Sequence, residues 1–178
     1  MAGQRLTDKT ALTEQAGSGD LLMVVDVSDT TGSAEGTSKQ MEFKYVLQTD
    51  KISVSNAEIQ ALDSTPKTLV GALSGYMVTP FNVTILVTYA ASTDSANATL
   101  LLGYDDTNNG NYWDYSSRFM SGVTVSEPSY IFGGNADARV PTIKSSALNK
   151  PFIIWSDAAF NGGFTMDVYI TYAYTKVL

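Results

Sequence analysis

A chain of 178 residues with 44% hydrophobic and only 16% charged residues is long enough for one well-packed domain and a smaller appendage. Its net charge of −7, with no cluster of Lys and Arg, argues against a nucleic-acid partner, because phosphate binding draws its affinity from grouped cations. The absence of cysteine and histidine excludes disulfides, thiolate metal sites, cysteine nucleophiles and every Ser-His-Asp arrangement.

Residues 1–19 are polar and read as an irregular lead-in without the apolar segment of a signal peptide. No apolar run reaches the length of a membrane span, so the expectation is a protein made and assembled in a cytoplasm, with no membrane insertion. Leu21 to Val27 is a short, almost wholly apolar strand, followed by the turn-rich SDTTGSAEGTSK. Gln40 to Leu47 alternates, with Met41, Phe43, Tyr45 and Leu47 on one face. Two strands joined by a long loop bury too little to stand alone. This N-terminal unit must therefore lean on the main domain, on a second copy of itself or on a larger assembly.

Thr49 to Asn56 reads as a hinge. NAEIQALD is readable either as a helix, with Asn56 as N-cap and Thr65-Pro66 as its stop, or as a short strand. From Phe81 the alternation is clear, with Phe81, Val83, Ile85, Val87 and Tyr89 on one face. Further strands are predicted at Ala98–Tyr104, Val123–Val125, Ser129–Phe132 and Phe152–Trp155. Asn82 and Asn97 each begin a glycosylation sequon, but both read as ordinary strand residues. Gly162-Gly163 marks a turn that needs positive φ, anchored by Phe160 and Phe164. The last strand carries Phe164, Met166, Val168, Ile170, Tyr172 and Tyr174 on its buried face; at about 3.3 Å per residue it spans a small β-domain. These elements predict an all-β protein: an antiparallel, jelly-roll-like β-sandwich over residues 56–178, with a small N-terminal β attachment unit of two strands over residues 1–55.

Four constellations are candidates for chemistry. Asp105-Asp106-Thr107-Asn108-Asn109-Gly110 opens like a calcium loop, but its twelfth position is Ser116 rather than a bidentate acid; a solvated turn is the simpler reading. Tyr112, Trp113 and Tyr115, with Trp155 later in the chain, form either a core or interface cluster or an aromatic platform for a sugar. Asp29-Thr30-Thr31-Gly32-Ser33 departs from the aspartic-protease signature by its extra threonine and has no second copy to complete a dyad. Two carboxylates would suffice for a glycosidase, yet no pair stands out among the 18 acids. The expectation is a non-enzymatic protein with no cofactor and no metal.

The stretch GDLLMVVDVSDTTGSAEGTSKQMEFKYVLQTDKI resembles a module at the start of structural fibre and decoration proteins of tailed bacteriophages, through Asp20, Leu21, Leu22, Val24, Val25, Asp26, Thr37 and Lys39. NAEIQALDSTPKTLVGA and FNGGFTMDVYITY are similar in layout to the compact β-domains at the tips of such fibres. The resemblance implies a virion structural protein of the small head-fibre or capsid-decoration type. It would be assembled in the bacterial cytoplasm as a homotrimer, with Leu21, Leu22, Val24, Val25 and Asp26 as candidate attachment residues on a capsid or tail protein. The C-terminal β-domain would project for contact with a host surface glycan. A tail-fibre or baseplate receptor-binding protein and a free carbohydrate-binding module are the alternatives.

Overall fold

The computed structural model describes residues 21–32, 34–42, 46–89, 97–104, 112–123, 127–133 and 147–177. They fall into two compact units, Met1–Val46 and Leu47–Leu178. In the first, β1 (Leu21–Asp26) pairs antiparallel with β2 (Thr37–Glu42), Leu21 opposite Glu42 and Asp26 opposite Thr37. The second strand thus begins earlier than its alternation suggests, and Phe43, Lys44 and Tyr45 lie outside the described residues.

The second unit opens with β3 (Gln48–Val54), where a hinge was expected. Its alternation is weak in sequence because Gln48 and Asp50 occupy inward positions, so the hydrophobic signal of a strand is missing. A short helix follows, α1 (Asn56–Gln60), capped by Ser55 rather than Asn56. Ser55 Oγ accepts from the Glu58 N–H and the Ser55 N–H donates back to the Glu58 carboxylate at 2.8 Å, a reciprocal capping box. Ile59 and Leu62 are fully buried, which resolves the helix-or-strand ambiguity in favour of the helix.

The remaining strands are β4 (Lys67–Val70), β5 (Tyr76–Tyr89), β6 (Leu100–Gly103), β7 (Tyr112–Ser116), β8 (Ser129–Phe132), β9 (Phe152–Ser156) and β10 (Phe164–Lys176). They make two four-stranded antiparallel sheets, ordered β3-β10-β5-β8 and β4-β9-β6-β7. Counting the eight strands from β3, one sheet runs first-eighth-third-sixth and the other second-seventh-fourth-fifth, which is the winding of a jelly roll. The fold is therefore the all-β antiparallel sandwich read from the sequence. Among the described residues no helix is long and apolar enough to cross a membrane.

The core lies between the sheets, with Val83, Ile85, Val168 and Ile170 from one and Leu100, Leu102, Phe152 and Ile154 from the other. Strand β10 joins β3 on one side and β5 on the other, and its even residues from Phe164 to Tyr172 are buried. Phe81 is a correction. The β5–β10 register shifts between Thr171 and Tyr172, which pairs with Pro80; Phe81 is thereby turned out of the core and left 55% exposed. Gly162 and Gly163 adopt φ of 83° and 91° ahead of β10, as the turn requires. A Cβ on Gly162 would stand 2.6 Å from Asn56 Oδ1, and the Gly163 N–H donates to that same oxygen at 2.7 Å. The turn is thus pinned to α1. Phe160 and Phe164 flank it, both buried, with ring centroids 6.0 Å apart.

Candidate functional site

In the N-terminal unit the apolar side chains of β1 face solvent. Leu21 is 56% exposed, Met23 64% and Val25 59%; Leu22 is exposed on the opposite face, and Val24 and Asp26 are half-buried. Gly36 holds the return from the loop at φ 117°, where a Cβ would meet Val25 Cγ1 at 2.8 Å and the Asp26 carbonyl at 2.9 Å. The loop is ordered by polar contacts. Asp26 Oδ1 accepts from the Ser28 N–H and hydroxyl, Asp29 Oδ1 accepts from the Thr31 N–H and hydroxyl, and Lys39 Nζ bridges Asp26 at 2.7 Å and Asp29 at 2.9 Å.

Lys39, followed by the Ser28 hydroxyl, holds the Asp26 carboxyl well below the usual range, and the Thr31 hydroxyl followed by Lys39 lowers Asp29 to about 2. Both carboxylates are fixed charges within a turn. The Asp29–Gly32 segment, compared above with a protease signature, is part of this turn, with the Asp29 carboxylate held by Thr31 and Lys39.

The aromatic candidates divide. Tyr112 and Tyr115 stack edge to face, centroids 5.0 Å apart, and Tyr115 is exposed. Trp113 instead packs edge-on against core Phe152 at 5.8 Å. Trp155 is 2% exposed beside Leu101 and Ile153, and its Nε1 has no hydrogen-bond partner among the described residues. The four rings therefore form no common exposed surface, because the register shift between Leu102 and Gly103 places Trp113 opposite to its neighbours. The candidate calcium loop Asp105–Gly110 lies outside the described residues.

A concave surface was not legible in the sequence. Three adjoining depressions of about 310, 370 and 400 Å³ share Thr88, and Thr165 and Asp167 each border two of them. These residues sit at the end of β5 and the start of β10, on the face turned away from the core, while Glu58 and Glu127 stand at the rims. Asp167 pairs with Lys51 at 2.8 Å and accepts from Ser53 Oγ at 2.6 Å, which lowers its titration. Lys67, then Ser55, lowers Glu58 to about 2. Among the described residues, every carboxylate whose titration is displaced is displaced downward, each by hydrogen bonds that its charged form accepts. Thr165 and Asp167 are two of several polar positions on β10, and nothing in the sequence set them apart from Thr171 or Thr175.

No family model matches the chain, and no curated protein matches it. Among solved structures, it is similar to a chain of the cyanophage Pam1 capsid asymmetric unit, with a TM-score of 0.40 and 14% identity over 98% of this chain and 99% of that one. It is also similar to a chain of Cocksfoot mottle virus, with a TM-score of 0.26 and 11% identity over 100% of this chain and 97% of that one. Likenesses at these scores do not establish a shared fold.

Proposed function

We propose that the chain is a non-enzymatic virion structural protein of the head-fibre or capsid-decoration type, attached to a capsid or tail protein through β1 and presenting its jelly roll outward. The observation that carries this reading is the exposure of Leu21, Met23 and Val25 on a sheet of only two strands among the described residues. A strand of this composition is stable when another surface covers it, and so few strands do not supply that cover. The resemblance of this segment to phage attachment modules supports the same reading.

The assembly proposed is a homotrimer, in which three copies share a core that one copy lacks. Light scattering on the full chain is the test: three chains of 19.1 kDa give about 57 kDa, and a strictly monomeric species at micromolar concentration counts against the trimer. Binding to purified capsids that disappears in Met23→Ser/Val25→Ser, with the jelly roll still folded, supports attachment through β1. Undiminished binding overturns it.

Contact with a host glycan is assigned to the surface at Thr88, Thr165 and Asp167 rather than to the tryptophans. Hydroxyls and an ion-paired carboxylate there meet the hydrogen-bonding needs of a polyol. Loss of glycan-array signal in Asp167→Ala is the expected result.

A further inference from the structure

Strand β3 is an edge strand of its sheet, and such strands invite pairing with another chain. Its inward-parity positions are Gln48, Asp50, Ile52 and Val54, so a carboxylate stands on the face that carries two buried residues. Asp50 itself remains exposed, while Gln48 and Tyr172, which pair across β3 and β10, are each 4% exposed.

Tyr172 Oη lies 2.8 Å from Gln48 Oε1 and 2.8 Å from Asp50 Oδ2. A phenol has one proton and cannot donate it to both. At the same time Gln48 Nε2 is buried without an acceptor among the described residues, an arrangement that costs stability. Turning the terminal amide by half a rotation resolves the conflict at the phenol and puts Oε1 in the position that Nε2 held. Nε2–H then donates to a lone pair of Tyr172 Oη, and the phenol proton goes to the Asp50 carboxylate, the stronger acceptor.

We propose that Gln48, Tyr172 and Asp50 form a one-way hydrogen-bond relay that latches β3 to β10 and closes this edge of the sandwich to strand addition by another chain. The opposite face of β3 is tied down in the same way. Lys51 pairs with Asp167 at 2.8 Å, Ser53 donates to Asp167, and the Thr49 and Thr171 hydroxyls lie 2.9 Å apart. An incoming strand would set its side chains beside Asp50 on one face and Lys51 on the other, and would strip water from both. The strand β1, LLMVVD, carries no charge before Asp26, and four of its six residues are exposed. The latch does not depend on the virion role; if that role fails, the closed edge of β3 still stands or falls on its own test.

Two measurements on the full chain provide that test. Asp50→Val/Lys51→Val is expected to retain the far-UV spectrum of a β-protein and to show, by sedimentation velocity, a concentration-dependent species absent from the unmodified chain. A folded double variant with an unchanged distribution overturns the closed edge. Should that variant not fold, Tyr172→Phe supplies the second readout. The relay predicts slowly exchanging Gln48 side-chain amide protons with cross-peaks to the Tyr172 ring, and exchange faster by about tenfold in Tyr172→Phe. Equal exchange rates in the two proteins overturn the relay.

Discussion

Strands β1 and β9 are close in composition and opposite in fate. LLMVVD and FIIWS are both nearly continuous apolar runs, yet every residue of β9 is buried whereas four of the six in β1 are exposed. A strand apolar on both faces needs cover on both faces. In the jelly roll, β9 gets it on one side from the core and on the other within the cluster of Leu101, Ile153 and Trp155. Among the described residues of its unit, strand β1 has β2 as its neighbour in the plane of the sheet, and its faces carry the chemistry of an interior. Apolar content thus records how much cover a strand requires; the number of elements around it decides whether its own chain supplies that cover.

Substitutions at the two places should separate these cases. The largest effect is expected at Ile170, which is fully buried in the central strand β10. Ile170→Ala should cost about 2–5 kcal/mol in urea denaturation, through lost burial and the cavity left behind. Gly162→Ala comes next, at about 1–3 kcal/mol, because the new Cβ meets Asn56 Oδ1 and the backbone there is left-handed. A loss below about 0.5 kcal/mol would show that the turn is not pinned to α1.

Alkaline pH acts on the same unit. Burial pushes the Tyr104 and Tyr172 phenols well above the ordinary tyrosine range, with hydrogen bonding to Asp50 adding to the rise at Tyr172. Both groups favour the protonated form in the folded state. Their contribution is complete below the unfolded value near pH 10 and is lost as pH rises beyond it. Melting temperature should therefore fall above about pH 10, and less steeply in Tyr104→Phe, which also gives up the bond from Tyr104 Oη to the Val78 carbonyl at 2.6 Å. At the acid end, Glu58 contributes stability above its unfolded pKa, which is lost as pH falls toward about 2; Glu58→Gln should flatten that slope slightly, since the pair with Lys67 is partly solvated. The smallest effect on the jelly roll belongs to β1, where Val25→Ser should leave the unfolding free energy in urea within about 0.5 kcal/mol of unchanged while weakening assembly. A large loss of jelly-roll stability in Val25→Ser would break the comparison.

Much of the sandwich was legible because its central strands repeat with period two. Strand β10 and the outer half of β5 announce one buried face, and β8 and β9 stand close to their expected bounds. Strand β3 was hidden because Gln48 and Asp50 replace apolar residues on its inward face, and β7 because its aromatic residues read equally well as a surface platform. Trp155 was left between core and platform for a related reason. A sequence tells which residues are able to stack, but not that Leu101 and Ile153 close over one ring while Tyr115 stays in solvent. The concave surface at Thr88, Thr165 and Asp167 was illegible because it joins residues far apart in the chain.

Period-two patterning and the lack of histidine and cysteine already determined a β-protein without thiolate metal sites, cysteine nucleophiles or a Ser-His-Asp arrangement, since both follow from local side-chain alternation and from which atoms are present. The tertiary structure decided the jelly-roll winding, the expulsion of Phe81, the burial of Trp155 and the latch at Tyr172. Each of these depends on register between strands distant in sequence, and a shift of one residue there exchanges the two faces of a sheet.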